Sequence, residues 1–383
     1  MKRRDFITSA VAGSVLAWLP QYSRAEANYQ KLLILVELKG GNDGLNTVIP
    51  YADPQYAALR PRIAVARDQV LQLDENSALH PALSPLMPLW KSGAIAIVQG
   101  VGYPSANLSH FRSIEIWDTA SKSNEYLQAG WLTRTFTQSP VPRTYAADAV
   151  VVGSAELGPF SGGGTRAITL TNTEQFLQQA KLAVPAGLAH NAALSHILRV
   201  EQDIVHAASG LNANQSFRTA FPQTAFGNAI RTVAQVVASR SGVAALKVSL
   251  NGFDTHSGQP AIHSRLLKEL ADGLVALKGA LSEIDRWDST LVATYAEFGR
   301  RPRENMSSGT DHGTASAHFV LGGGVKGGLF GQRPALDKLD GNGNPPFAVD
   351  FRDIYATVLD RWWGVSSTVA LRGRFVPMDF LKT

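Results

Sequence analysis

The sequence predicts an α/β protein, doubly wound around a mostly parallel sheet with helices on both faces, and three observations predict it. Near-continuous apolar runs of β-compatible residues recur at 31–38, 94–101, 149–152, 244–253, 289–295 and 317–321, the pattern of central strands buried on both faces. Apolar residues at helical spacing fill several of the intervals, and strands separated by helices build βαβ units and a parallel sheet. Polar clusters stand at or near the ends of those runs, where sheets of this kind collect their functional residues.

A chain of 383 residues, 45% apolar and 17% charged, has the material for an extensive core. The formal charge is +5, and Lys2, Arg3, Arg4 and Arg24 against Asp5 and Glu26 leave about +3 for the rest. There is no basic block of the kind phosphate-backbone binding needs, so nucleic acid is not an expected partner. The chain has no cysteine. That excludes disulfides, thiolate catalysis and cysteine-ligated clusters.

The first twenty residues, MKRRDFITSAVAGSVLAWLP, have a basic start and an apolar run too short to span a bilayer, and Ala25-Glu26-Ala27 offers a small-residue cleavage site. Arg3-Arg4-Asp5-Phe6-Ile7 fits the twin-arginine pattern. The expectation is a signal peptide over 1–27, cleaved after Ala27 in preference to Ala25. Export of the folded protein by the twin-arginine machinery, a periplasmic or secreted location and no stable membrane span after cleavage go with it. Residues 28–383 then form a single α/β domain, with a helical insertion expected around 160–222.

In that domain, 31–38 is the first strand. Residues 50–90 read as loop and short helix, punctuated by Pro54, Pro61, Pro81, Pro85 and Pro88. Strands follow at 94–101 and 149–152, then a loop from Gly158. Helical spacing runs over 173–206, broken at Pro185. His190, His196 and His206 fall in that stretch and read as ordinary surface or core residues. Residues 224–240 and 261–284 predict helices around the strand at 244–253. After the strands at 289–295 and 317–321, residues 350–363 form an amphipathic helix with Phe351, Ile354, Tyr355, Val358, Leu359 and Trp362 on one side.

Five polar clusters attach to these strands: Asn42-Asp43, Ser109-His110, Asp254-Thr255-His256, Glu297 and Asp311-His312. Asp43 alone is equally readable as an Asx turn. Ser109 stands where a helix N-cap belongs, and a hydroxyl at a helix N-terminus also faces a site suited to anions. Asp254 and His256 are two apart, so in extended chain their side chains point the same way and can share one ion. Adjacent Asp311 and His312 serve different partners. Carboxylates and imidazoles without thiols suit zinc, magnesium, manganese, calcium or iron. One or two such ions would polarise a phosphoryl or sulfuryl oxygen and activate a hydroxyl. Ser109 is then the candidate nucleophile, and Arg112 and Arg300 the candidate clamps on a tetrahedral anion, with a surface salt bridge as the ordinary alternative for each arginine.

The twin-arginine start, LVELKGGNDGLNTVIPY, LHPALSPLMPLW, SHFRSIEIW, GFDTH, AEFGRRPREN, GTDHG and GGGVKGG together resemble the exported family catalogued as domain of unknown function 1501, over nearly the whole mature chain. That family is similar to the alkaline phosphatase and sulfatase superfamily, and the resemblance implies an alkaline-phosphatase-like fold with metals at the strand ends. It implies Asp43 as a metal ligand after the first strand and Ser109, with Ser105 as its substitute, as nucleophile. It further implies Asp254 and His256 on one metal and His312 before the last strand. Where the superfamily pattern has an Asp-His pair, this chain has Glu297-Phe298. Glu297 replaces the carboxylate, but Phe298 ligates nothing, so a second metal needs His110 or Asp311.

Three readings result. The favoured one is an exported metal-dependent hydrolase of a phosphate or sulfate ester, acting on a small-molecule or polysaccharide ester. The alternative is a non-catalytic, degenerate member binding an envelope polysaccharide or protein partner. The third, a redox protein, has neither cysteine ligands nor a dinucleotide fingerprint behind it. GGGVKGG lacks the lysine-serine ending of a phosphate-binding loop and reads as a plain loop.

Overall fold

A strand whose odd and even positions are both apolar must be covered on both faces, and the first strand shows this directly. In the computed structural model, which describes residues 27–181, 202, 203, 205, 208–210, 215–239 and 242–382, Leu33 and Leu35 enter one core and Leu32, Ile34, Val36 and Leu38 the other. The strands in chain order are β1 (Leu32–Lys39), β2 (Val48–Ile49), β3 (Leu71–Gln72), β4 (Ala78–Leu79), β5 (Ile95–Gly102), β6 (Ala147–Val152) and β7 (Ala167–Leu170). They continue with β8 (Val243–Asn251), β9 (Thr290–Tyr295), β10 (Gly299–Glu304), β11 (Thr310–Gly313), β12 (Ser316–Leu321), β13 (Gly328–Gly331) and β14 (Val349–Asp350).

Nine of them form one sheet in the order β13-β5-β12-β9-β1-β8-β6-β7, with β14 also on β5. All pairings are parallel except those of β12, which runs antiparallel to β5 and β9. This is the doubly wound, mostly parallel α/β class. One core packs the sheet against the helices Met87–Lys91, Ala225–Val237 and Gln259–Glu283. The other packs it against His110–Thr119, Trp131–Gln138 and the segment Phe351–Trp363. The sense of β12 matters for the site. Its first residue lies at the edge where the parallel strands end, so the residues just before it meet those just after β1, β5, β8 and β9.

Several expectations are adjusted. Thr224 caps the helix Ala225–Val237 by accepting from the Gly227 amide at 3.0 Å, and the helix expected at 261–284 is Gln259–Glu283. Residues 50–90 include β3 and β4, which form a small three-stranded sheet with β2. The stretch expected as a helical insertion opens with β7, hydrogen-bonded in parallel to β6, before the helix Thr173–Ala180. Most of residues 182–214, with His190, His196 and His206 among them, lie outside the described residues, as does the signal segment up to residue 26. No helix among the described residues is long and apolar enough to cross a membrane.

Candidate metal centre

The chain leaves β1 through Gly40 and Gly41, both at positive φ (+114° and +78°). A Cβ on Gly40 would collide with the backbone at Phe253-Asp254, and one on Gly41 with the Phe298 ring. Glycine is therefore required where the ends of β1, β8 and β9 converge. Buried Arg300 ties them together: Nε donates to the Gly41 carbonyl at 2.8 Å, Nη1 to that of Thr310 at 3.0 Å, and Nη2 to those of Gly40 and Phe253 and to Asp254 Oδ1 at 2.6 Å.

Asp254 is the centre of the site. Its Oδ1 lies 3.1 Å from His256 Nε2 and 3.3 Å from His312 Nε2, and its Oδ2 lies 3.5 Å from His110 Nε2. His110, Asp254 and His312 each bring a ligand atom within 4.8 Å of the others. The Nε2 atoms of His256 and His312 are 2.9 Å apart. Burial would raise the Asp254 carboxyl, but the hydrogen bond and charge of Arg300, with the charge of His256, hold it below the usual carboxylate range.

The far side of each imidazole decides what the near side offers. His312 Nδ1 lies 2.7 Å from the Leu108 carbonyl, which can only accept, so Nδ1 carries the proton and Nε2 an open lone pair. His110 Nδ1 lies 2.8 Å from Glu297 Oε1, and His256 Nδ1 lies 3.3 Å from Asp311 Oδ1. All three rings thus turn Nε2 inwards with an acceptor behind Nδ1, as ligating histidines do. Burial, together with the charges of Arg300 and His110, keeps His312 below the ordinary imidazole range, and so neutral at pH 7. Two inward lone pairs 2.9 Å apart beside a carboxylate oxygen require a proton or a cation between them. His110, Asp254 and His312 form a donor set that could hold a divalent ion, with His256 Nε2 a further nitrogen beside Asp254 and His312.

The structure sorts the remaining expected site residues by contact. Asp43 does not join the cluster. It is fully buried, with Oδ2 at 2.6 Å and Oδ1 at 3.0 Å from the Arg60 guanidinium. Gln259 also donates to Oδ2, and the Leu45 and Asn46 amides to Oδ1 at 3.2 and 3.4 Å. Burial pushes its carboxyl up and Arg60 brings it below the usual range. Donors fill both oxygens, so Asp43 caps the helix Gly44–Thr47 and holds an arginine. Glu297 and Asp311 stand one layer behind the ligands, orienting His110 and His256. Glu297 also accepts the Gly40 amide at 2.9 Å, while its Oε2 is buried without a hydrogen-bond partner among the described residues. Phe298 packs its ring against His312 and His110, centroids 4.4 and 4.9 Å apart.

The two expected anion clamps are engaged elsewhere. Arg112 Nη2 donates to the carbonyls of Lys122, Ser123 and Glu125 and its guanidinium stacks on Tyr126, so it braces the loop after its own helix. Arg300 is buried among carbonyls and Asp254, as above. Ser109 is exposed at the N-terminus of the helix His110–Thr119 and makes no capping hydrogen bond. Ser105 is exposed and left-handed, φ +54°.

Sequence reasoning did not find Arg60, Gln259, Asn305 or the Leu108 carbonyl. Asn305 Nδ2 donates to the His256 carbonyl at 2.8 Å and reaches Asp311 Oδ1 at 3.3 Å. The run AEFGRRPREN contains Asn305, but its contacts depend on a hairpin the apolar pattern does not mark.

Solved structures with some likeness to this one include the C-terminal periplasmic domain of EcEptC from Escherichia coli in complex with Zn. It is 10% identical over 76% of this chain and 72% of that one, with a TM-score of 0.37. Ps i-CgsB is 12% identical over 91% and 75%, with a TM-score of 0.41. The alkaline phosphatase from the Antarctic bacterium TAB5 is 11% identical over 78% and 94%, with a TM-score of 0.36. No curated protein matches the chain. Residues 92–371 match the family model described as protein of unknown function (DUF1501), and they contain every inward-turned histidine and Asp254. The chain belongs to the DUF1501 family.

Proposed function

We propose that this protein is an exported, metal-dependent hydrolase of a phosphate or sulfate ester, related to the alkaline phosphatase and sulfatase superfamily. It would hold one divalent ion, zinc by preference, on His110, Asp254, His256 and His312. The observation that carries the reading is the inward turn of three imidazoles whose outer nitrogens all meet fixed acceptors. Such an ion, when bound, would polarise an ester oxygen and lower the pKa of a coordinated water or hydroxyl. Ser109, exposed and beside His110, is the nucleophile we assign, and Glu297, Asp311 and the Leu108 carbonyl keep the imidazoles oriented.

The binding alternative has one specific observation behind it. Phe298 fills a position where a second ion would need a ligand, and the described residues offer one cluster. Metal analysis combined with hydrolysis of chromogenic phosphate and sulfate esters separates the readings. Zinc near one equivalent, lost in Asp254→Ala and His312→Ala, with turnover abolished in Ser109→Ala, is the expected result. Zinc without turnover points to the binding protein. A folded protein that takes up no divalent ion sinks the hydrolase.

A further inference from the structure

Residues 103–109 join β5 to the helix His110–Thr119, and they carry two groups of the site, the Leu108 carbonyl on His312 Nδ1 and Ser109. From Pro104 to Ser109 the loop is exposed or half-buried, whereas Tyr103 at its start is buried. A carbonyl on such a loop fixes an imidazole only if the loop backbone is itself fixed. The Tyr103 hydroxyl supplies that hold. It accepts from the Asn107 amide at 3.1 Å and lies 2.7 Å from Ser113 Oγ.

The donors give these bonds a direction. Ser113 Oγ donates to the Glu297 carbonyl, which can only accept, so its single proton is committed there. Tyr103 therefore donates to Ser113 Oγ, with the Asn107 carbonyl at 3.3 Å the weaker alternative acceptor. A continuous chain results, from the Asn107 amide through the Tyr103 and Ser113 hydroxyls to the Glu297 carbonyl. Both of its ends reach the site. Asn107 Oδ1 accepts the Ser109 amide at 2.9 Å, and Leu108 lies between the two; Glu297 at the far end backs His110. Ser113 also donates its amide to the Ser109 carbonyl at 2.8 Å. A further bond to the loop, from Ser123 Oγ to the Pro104 carbonyl at 3.0 Å, is exposed and near the loop's start.

We propose that Tyr103 is a positioning residue of the histidine cluster. Through its hydroxyl it fixes the loop so that the Leu108 carbonyl holds the His312 Nδ1 proton and Ser109 stays beside His110. The part played by Ser109 rests on the hydrolase reading above, and the hold on His312 does not. Tyr103→Phe tests this, because the ring packs edge-on against Phe351, centroids 5.6 Å apart, and only the hydroxyl is lost. The readouts are solvent exchange of the His312 Nδ1 proton by NMR in zinc-loaded and chelator-treated protein, zinc affinity against a chelating dye, and kcat and KM on chromogenic phosphate and sulfate esters. In Tyr103→Phe that proton should exchange about tenfold faster, zinc affinity should fall about tenfold, and kcat should fall with KM little changed. An unchanged His312 proton and zinc affinity in folded Tyr103→Phe would overturn the assignment. Should the variant not fold, the wild type decides: the Asn107 amide should exchange more slowly than those of Ser105 and Ala106, and equal rates would overturn it. Faster exchange of the His312 proton in Tyr103→Phe, with a wild type that hydrolyses neither ester, would uphold Tyr103 and remove only the hydrolase reading.

Discussion

Glu297 and Asp254 are both carboxylates at strand ends, and only distance separates their roles. Asp254 faces three Nε2 atoms, whereas Glu297 lies behind His110 on Nδ1 and on the Gly40 amide. Residue type was legible in the sequence, and so was the pairing of Asp254 with His256, since two positions of extended chain put their side chains together. The layer was not legible, because ligand and orienting carboxylate are the same chemical group. The consequence is measurable. Glu297→Gln keeps an acceptor for the Gly40 amide but removes the charge behind His110, and zinc affinity should fall about 10- to 100-fold with the fold intact. Competition against a chelating dye reads the change, and wild-type affinity in this variant would exclude the orienting role.

Strand β10 shows how an element with little apolar pattern becomes part of the site. GRRPRE does not read as a strand, because Arg300 is buried by hydrogen bonds to carbonyls, which no hydrophobic period records. The central strands were legible because burial on both faces leaves an unbroken apolar run, while β7 is short and only partly buried and the strands of the β2–β4 sheet are two residues each. What fixes β10 is a carboxylate just past the end of β1. Asp43 holds Arg60, and Arg60 grips the carbonyls of Arg301 and Pro302. Asp43→Ala strands a guanidinium with no exposure and should cost about 3–5 kcal/mol in urea unfolding. The folded fraction should keep its zinc. Loss of zinc with unchanged stability would return Asp43 to the ligand set.

Across the whole molecule, buried ionisable groups give stability a pH profile with two opposed slopes. Burial lowers His263 and His318 to about 3 and His80 to about 4, from 6.5. Below pH 6.5 the unfolded chain binds protons that these folded imidazoles refuse. Their contribution is therefore complete above 6.5 and is lost as pH falls towards about 4 and then about 3. Asp118 has the opposite sign. Burial raises it from 3.8 to about 8 against the charge of Lys247 and with the help of Glu37, and its carboxylate lies 3.4 Å from the Tyr295 hydroxyl. The folded state keeps a proton that the unfolded chain releases above 3.8, so this contribution declines as pH rises to about 8. Three histidines outweigh one aspartate below 6.5, and above it Asp118 acts without them. Stability in chelator, which removes any metal contribution, should peak near pH 6.5 and then fall by at most ~1.4 kcal/mol per pH unit up to 8, less to the extent that solvent reaches this partly exposed residue. Urea midpoints at pH 5, 6.5 and 8 trace the profile. In Asp118→Asn the fall above 6.5 should vanish while the rise below it stays. A wild type that is flat from 6.5 to 8 would mean that Lys247 keeps Asp118 ionised inside the fold.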